Sequence, residues 1–448
     1  MKEYIEQLLN YDPNVREKAC QTIRAEGPDV IDDLIEALYL IDEKEGIIGL
    51  GWLANGFDVC SPACIPKLII AMQSENEKIR YGATCVLCSI AFEERLRRNS
   101  VSSGVAMDVF LREGEDIFPA LPPDLYKKFE GDGDLDPGCI PPEAIAAIVK
   151  CFQDPSNRIR RHALEKIHVI TLGADIVIPA LIEFLEDESN WSDCSSLCHA
   201  ISALCSYGPK AAVAVPAMQY VIAIKKFGSH GGRYEIRTLD LFRIGLASIP
   251  LFAEVFKWQD SQFIDELMEL HLINFGKPVI PAMVELLDYP NPVTHLRACF
   301  VLFCVNTDMD IHRRMTAMLR QYLKHPDVWI RKNAAFRLRM AKLSDKADKQ
   351  KNVEALIEAL GDKKIEVCKM AMQSIGELKI NRPGIVPIIE DFINTKPKAT
   401  IPAALSTLSK ISKVEPEAVD LLKKIATGPD EFRAKKAKSW LRKKRIKI

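Results

Sequence analysis

The stretch that decides the fold is His325–Leu338, HPDVWIRKNAAFRL, in which Ile330, Ala334 and Leu338 are spaced four residues apart. Residues four apart lie on the same face of a helix, so this spacing predicts a helix with a buried stripe. The small residue at the centre of the stripe lets a neighbouring helix approach closely. The residues before it, His-Pro-Asp, are typical of a polar turn that leads into such a helix.

The same aliphatic–small–aliphatic pattern recurs along the chain. The small residue of the other copies is Ala19, Ala83, Ala163, Ala298 or Ala371. The first residues of three copies, Val15, Ile47 and Ile79, are 32 residues apart. A fixed period in the thirties is typical of stacked helical hairpins.

A second pattern, an aliphatic residue followed by proline, precedes the first. It is present at Pro66, Pro179, Pro216, Pro281 and Pro387. In three copies the proline lies 12 or 13 residues before the first residue of the stripe. Because proline either opens a helix at its first turn or bends it, each repeat is predicted to consist of a helix A, a short polar turn and a helix B.

These repeats resemble HEAT repeats, and most of all the short HEAT-like repeats first described in phycobilin lyases. The resemblance is carried by the stretch 12–16 (DPNVR), by Asp154-Pro155 with Ile159-Arg160, and by the stretch 325–331. It implies an all-α fold: a right-handed α-solenoid of stacked helical hairpins, HEAT/armadillo-like, with the B helices on its concave face. It implies no particular activity.

One long segment carries no repeat. We expect residues 1–95 to form N-terminal HEAT-like repeats and residues 96–139 to form an irregular inserted loop. Residues 140–448 are expected to form the central and C-terminal HEAT-like repeats, continuous with the first solenoid segment.

The composition restricts the class of protein. The chain has 448 residues, with 60 Lys and Arg against 61 Asp and Glu, so a generally basic nucleic-acid coat is excluded. No apolar run approaches the ~18 residues of a membrane span, so no transmembrane segment is expected, and the start MKEYIEQLLN lacks the layout of a signal peptide. The 13 cysteines are scattered through apolar segments, which indicates buried free thiols and predicts a cytoplasmic location.

Four arginines hold the same position of the repeat, directly after its first aliphatic residue: Arg16, Arg80, Arg160 and Arg331. One interpretation is a basic strip that binds an acidic partner. The other is structural, with each arginine paired to an aspartate of a turn, such as Asp12 or Asp154, and thereby locking adjacent repeats. The resemblance to HEAT repeats favours the structural role.

The C-terminal end is strongly basic. From Arg433 to Ile448 there are nine Lys or Arg and no acidic residue, while Phe432, Ala437 and Leu441 predict an apolar stripe. The segment is predicted to be a last helix that packs on the stack, or else a handle for nucleic acid or an acidic membrane surface. Its candidate partner-binding residues are Lys435, Lys436, Arg442, Lys443, Lys444 and Arg445.

Two clusters carry residue types that bind metals. Asp132, Asp134 and Asp136 alternate as in a calcium-binding loop, but Pro137 occupies the place where such a loop needs glycine, which favours a solvated acidic turn. Cys194, Cys198 and His199 fall on one helical segment, whereas zinc sites usually need four ligands, often presented from turns. Buried cysteine side chains are the simpler interpretation.

No sequence motif for catalysis is present, since there is no P-loop, no nucleophile elbow and no His-Glu-x-x-His. We therefore predict a non-catalytic scaffold or adaptor that binds another macromolecule, most simply a protein, on its concave surface, with no cofactor. The alternative is a HEAT-like enzyme, such as a bilin lyase or a DNA glycosylase. Trp191 with Asp193 is the compact pairing that a glycosylase would require.

Overall fold

The computed structural model describes most of the chain. The described residues are 3–8, 10, 12–26, 30–38, 64–102, 140–225, 238–257, 266–306, 308–341, 346–379, 382–443 and 446. Among them every regular element is a helix and there is no strand, so the prediction of an all-α fold is confirmed.

The helices follow one another in pairs, helix A and then helix B. The first twelve described helices are α1 (Glu3–Leu8), α2 (Pro13–Glu26), α3 (Ile31–Leu38), α4 (Ile65–Ala71), α5 (Glu77–Ser102), α6 (Pro142–Lys150), α7 (Asn157–Ile170), α8 (Ala174–Glu186), α9 (Cys194–Ser206), α10 (Val215–Lys225), α11 (Thr238–Phe242) and α12 (Ile249–Phe256). The remainder are α13 (Glu266–Phe275), α14 (Ile280–Glu285), α15 (Pro292–Val305), α16 (Met309–Tyr322), α17 (Val328–Leu338), α18 (Lys346–Ala359), α19 (Ile365–Leu378), α20 (Ile385–Thr395), α21 (Ile401–Ile411), α22 (Glu417–Thr427) and α23 (Glu431–Lys443).

The chain divides into two compact units, Met1–Val255 and Phe256–Ile448. In each unit successive B helices pack side by side. In the first unit α5 packs on α7 and α7 on α9, and in the second α15, α17, α19, α21 and α23 follow one another in the same way. The A helices form their own layer, in which α16 contacts α18 and α20 contacts α22. Each unit is thus a stack of helical hairpins.

The small residues of the repeat lie in the core of these stacks. Ala83, Ala163, Ala298, Ala334 and Ala371 are all fully buried. A methyl group at this position allows the backbones of adjacent B helices to come close, because a larger side chain would hold them apart. The stripe inferred from the sequence is therefore the packing seam between repeats.

The prolines of the second pattern take both of the roles that were expected. Pro66 and Pro281 lie in the first turn of α4 and α14, where the missing N–H has no helical partner to lose. Pro179 lies inside α8.

The boundary of the inserted segment differs from the expected one. Helix α5 continues to Ser102, so residues 96–102 extend a repeat helix into the stretch expected to be irregular. Residues 103–139 lie outside the described residues. Helix α4 packs on α6 and α5 on α7, so the hairpins before and after the segment stack directly on each other.

Candidate binding surface

Arg331 and Arg80 each join successive repeats. Arg331 Nη1 donates to the carbonyls of His325 and Pro326 in its own turn, both at 2.8 Å. Its Nε and Nη2 donate to the carboxylate of Asp362 in the next turn, at 2.7 and 3.1 Å. The Asp362 carboxylate raises the pKa of Arg331 through its hydrogen bond, so the guanidinium stays charged.

Arg80 repeats this arrangement in the first unit. Its Nη1 donates to the carbonyls of Ser74 and Glu75, both at 3.0 Å. Its Nε and Nη2 reach the carboxylate of Asp154, at 3.0 and 3.3 Å. The hydrogen bond with Asp154 raises the pKa of Arg80.

The other two arginines bind backbone carbonyls of their own turns. Arg160 Nη1 donates to the carbonyls of Asp154 and Pro155, at 2.6 and 3.1 Å. Arg16 Nη1 donates to the carbonyl of Asn10 at 2.7 Å. The guanidinium groups at this position hold turns together, and that geometry supports the structural interpretation over a partner-binding strip.

The basic C-terminal segment forms helix α23, which packs on α21. Its buried stripe is Ala434, Ala437 and Leu441. The expectation for Phe432 was wrong, because its side chain is 40% exposed and Ala434 takes its place in the stripe.

The candidate partner-binding residues on α23 lie away from this stripe. Lys435, Lys436 and Arg442 are exposed. The side chain of Lys443, and the residues Lys444 and Arg445, lie outside what the structure describes. The described part of the basic segment is therefore both a packed last helix and a charged surface.

This surface continues over three neighbouring B helices of the second unit. On α17, α19, α21 and α23 exposed and half-buried side chains recur every third or fourth residue, opposite to the buried stripe. We call this surface the basic B face. Its members are Trp329, Lys332, Asn333, Phe336, Arg339 and Met340 on or after α17; Glu366, Lys369, Met370, Gln373 and Glu377 on α19; Pro402, Ser406, Lys410 and Lys413 on or after α21; and Phe432, Lys435, Lys436, Ser439 and Arg442 on α23.

The basic B face carries a net positive charge. Its members include eight cations and only two carboxylates, Glu366 and Glu377. Glu377 is already paired, since it accepts a hydrogen bond from Lys410 at 2.7 Å. Among the described residues, the exposed and half-buried charged side chains of the A helices α18, α20 and α22 have the opposite bias: seven carboxylates (Asp348, Glu354, Glu358, Glu390, Asp391, Glu417 and Asp420) outnumber four lysines (Lys349, Lys351, Lys423 and Lys424).

Aromatic side chains lie among these cations. Trp329 is 40% exposed near the start of α17. The guanidinium of Arg339 lies 3.8 Å from the centre of the Phe336 ring, and the ammonium of Lys436 lies 6.0 Å from that of Phe432. Burial lowers the pKa of Arg339, so this cation has lost part of its hydration and gains more from an arriving anion. Trp329 and Phe336 were not among the residues expected to bind.

The cysteine cluster does not form a metal site. Cys194 is exposed and Cys198 is buried, and burial raises the pKa of Cys198 to about 12. No group of three or more His, Cys, Asp or Glu within the described ranges could hold a metal ion. The acidic residues Asp132, Asp134 and Asp136 lie outside those ranges.

Trp191 and Asp193 both take part in local structure. Asp193 caps α9, accepting from the N–H groups of Ser195 and Ser196 at 3.1 and 3.3 Å. The indole N–H of Trp191 donates to the carbonyl of Leu185 at 2.9 Å. The carboxylate that a glycosylase would require is here a helix cap.

Membrane insertion has no support from the helices that the structure describes, none of which combines the length and the apolar character needed to cross a bilayer.

The comparisons with known proteins identify the fold. No protein-family model matches the chain. No curated protein matches it either. Among solved structures, Kap121p bound to Pho4p matches with a TM-score of 0.57 and 12% identity over 98% of this chain and 48% of that chain. Kap121p bound to Nup53p matches with a TM-score of 0.54 and 11% identity over the same shares.

These structures are helical HEAT-repeat solenoids of the importin-beta/karyopherin type. The chain therefore has a HEAT-repeat solenoid fold, and the prediction made from its repeats is confirmed. At this level of identity the likeness concerns the fold alone. The chain spans about half the length of the solved structures that it matches.

Proposed function

We propose that this protein is a non-catalytic scaffold that binds another protein on its B helices. The observation that carries the proposal is the basic B face, on which, in the described part of the chain, α17, α19 and α23 present unpaired lysines and large apolar side chains at the surface. Soluble proteins keep such groups at the surface where they meet a partner.

The rigidity of the stack supports this role. The Arg331–Asp362 ion pair joins the turns of neighbouring repeats, and the Thr407 hydroxyl donates to the carbonyl of Met372 at 2.7 Å between α21 and α19. A surface that is already ordered loses little conformational entropy on binding, so more of the contact energy appears as affinity.

The similar solved structures add support of a second kind. In both of them the HEAT-repeat chain is bound to another protein, Pho4p in one and Nup53p in the other. By resemblance to HEAT proteins, we place the B helices on the concave side of the stack.

We also propose a cytoplasmic location. The support comes from the thiols, because seven cysteines of the described core are free and buried: Cys85, Cys88, Cys151, Cys198, Cys205, Cys299 and Cys368. Free buried thiols are typical of a reducing compartment.

Site-specific photo-crosslinking in cells tests the scaffold proposal. A photoreactive amino acid is placed on the basic B face at Gln373 or Ser406, and on the A helices at Glu354 or Asp391 as the matched control. We expect both B-face positions to yield a crosslinked adduct of the same mass, containing the same protein. Adducts formed only from the A-helix positions, or from none, would overturn the proposal.

A further inference from the structure

We propose that the partner segment on the basic B face is an acidic stretch of protein with apolar side chains between its carboxylates. This inference rests on the scaffold function proposed above and specifies the chemistry of the partner. It is carried by the charge, the pairing and the register of the side chains on α17, α19, α21 and α23.

The first observation is that four of the eight cations of this face have no carboxylate partner in the part of the chain that the structure describes. Within the described residues, Lys332, Lys369, Lys413 and Lys435 form no ion pair. Two exposed lysines of the A helices differ: Lys351 pairs with Asp348 at 3.2 Å, and Lys424 with Glu390 at 2.8 Å. Because like charges repel, a row of free lysines lowers the stability of the stack unless an anionic partner binds there.

The second observation is the register of the lysines. Lys332, Lys369 and Lys435 each precede the buried small residue of their helix by two positions. Packed helices are ~10 Å apart, so Lys332 and Lys369 on the neighbouring helices α17 and α19 are one such step apart, whereas Lys435 on α23 is two steps from Lys369 because α21 lies between them. An extended peptide advances ~3.3 Å per residue, so acidic side chains about three residues apart match Lys332 and Lys369, and a further one about six residues on matches Lys435.

The third observation is the placement of the aromatic residues. Trp329 and Phe432 share a register, each five residues before the small residue of its helix, and lie on the first and last helices of the face. Each is close enough to the lysine row to cover an apolar side chain of the same bound segment. Exposed aromatic side chains beside cations are common anchors in protein interfaces.

The two carboxylates of the basic B face favour a protein over a nucleic acid as the partner. Glu366 and Glu377 lie among the cations of the face. A phosphodiester backbone carries a charge at every nucleotide and would place phosphates against these carboxylates. A protein segment can place apolar residues there and keep its acidic residues for the lysines.

Fluorescence anisotropy with defined probes tests the inference. The main probe is a labelled peptide of about twelve residues, with Glu at every third position and Leu or Ala between. The others are the same peptide with Lys in place of Glu, a single-stranded oligonucleotide, and vesicles containing phosphatidylserine. The B-face variant K332E/K369E/K435E is compared with K351E/K363E/K424E, which changes the net charge equally at two A-helix lysines and at one lysine of the turn between α18 and α19.

We expect the acidic peptide to bind, and its Kd to rise at least about tenfold in the B-face variant and by less than about twofold in the control variant. Trp329→Ala should raise the Kd by about fivefold, because it removes an anchor and no charge. Circular dichroism confirms that each variant is folded. The lysine peptide should not bind.

Three results would overturn the inference. These are no binding of the acidic peptide, equal loss in the two charge variants, or tighter binding of the oligonucleotide or the vesicles through the same lysines. The scaffold proposal is judged separately by the crosslinks from Gln373 and Ser406. A crosslinked protein partner together with failure of the acidic peptide rejects the acidic segment alone.

Discussion

Arg331 and Asp362 form a two-pronged ion pair between successive repeats, with Nε to Oδ2 at 2.7 Å and Nη2 to Oδ1 at 3.1 Å. Both side chains are largely buried, with 14% and 10% of their surface exposed. The same guanidinium also binds two carbonyls of its own turn. Such a shielded pair contributes more to stability than an ion pair on the surface, because water competes less with it.

Removing this arginine should destabilise the second unit. Arg331→Ala leaves a largely buried carboxylate and two carbonyls without their donor, so we expect a loss of about 2 kcal/mol, or roughly 4–8 °C in melting temperature. Scanning calorimetry measures the change. Lys332→Ala, at the next position, is the control and should shift stability by less than about 0.5 kcal/mol.

The same pair should make stability depend on pH in the acid range. Burial is the largest single influence on the pKa of Asp362 and raises it, but the hydrogen bond from Arg331, the hydrogen bond from the backbone N–H of Lys364 and the charges of Arg331 and Lys396 together outweigh burial, so the pKa is lowered. The contribution of the pair is therefore complete above the unfolded pKa, about 4, and is lost as the pH falls through the folded pKa. The difference in free energy of unfolding between the wild type and Asp362→Asn should shrink below about pH 4; a constant difference would contradict this reading.

The first unit offers a graded comparison between two arginines of the same repeat position. Arg80 binds two carbonyls and the Asp154 carboxylate, whereas Arg160 binds carbonyls of its own turn. We expect Arg80→Ala to cost about 2 kcal/mol and Arg160→Ala about 1 kcal/mol in urea unfolding. Equal costs would show that the bond to the next repeat adds nothing.

The hairpins and their packing seam could be predicted from the sequence because they depend on local spacing. Ala83, Ala163 and Ala334 each have an aliphatic residue four positions before and four positions after them, and this spacing predicts a buried helix face. The structural role of Arg331 was favoured by the resemblance to HEAT repeats. Its partner Asp362 could not be predicted, because that contact depends on how the next repeat stacks.

The basic B face was only partly predictable. Lys435 and Lys436 stood out because they lie in a run of basic residues, whereas Lys332 and Lys369 are single lysines in ordinary helices. A signal was present, since lysine stands two residues before the small residue in three of the four helices. Its meaning required knowing that these helices are adjacent and that the lysines are unpaired. Phe432 was misplaced because the segment has two candidate stripes, and packing on α21 selects the one with Ala434.

His162 should give the first unit a separate pH dependence. Burial lowers the pKa of His162 to about 4, and the ring packs edge-on against Tyr81 with centroids 5.6 Å apart. The unfolded chain takes up a proton near pH 6.5 that the folded chain does not, so stability falls as the pH drops from there towards 4, by up to about 3 kcal/mol.

The variant His162→Phe keeps a ring against Tyr81 and cannot titrate. Its free energy of unfolding should therefore decline less between about pH 6.5 and 4 than that of the wild type, and the part that remains comes from His199, whose pKa burial also lowers. Urea unfolding of both proteins across this range measures the difference. His325→Phe, in the second unit, is the control and should leave the decline of the first unit in place.

Gly376 marks a close approach of two B helices. A Cβ added to this residue of α19 would lie 2.9 Å from Oγ1 and 3.0 Å from Cα of Thr407 on α21. In an ordinary helix, replacing glycine with alanine stabilises by up to about 1 kcal/mol. Here the new methyl group meets backbone that cannot rotate away, and it disturbs the hydroxyl of Thr407 that donates to Met372.

We therefore expect Gly376→Ala to destabilise the second unit by about 1–3 kcal/mol, reversing the usual sign of this substitution. Gln373→Ala, on the half-buried face of the same helix, should be neutral within about 0.5 kcal/mol. Thermal unfolding measures the stability of the Gly376→Ala and Gln373→Ala variants relative to the wild type. If Gly376→Ala were neutral or stabilising, α19 and α21 could not be in contact at this point, and the seam along which the lysines of the basic B face are aligned would be wrong.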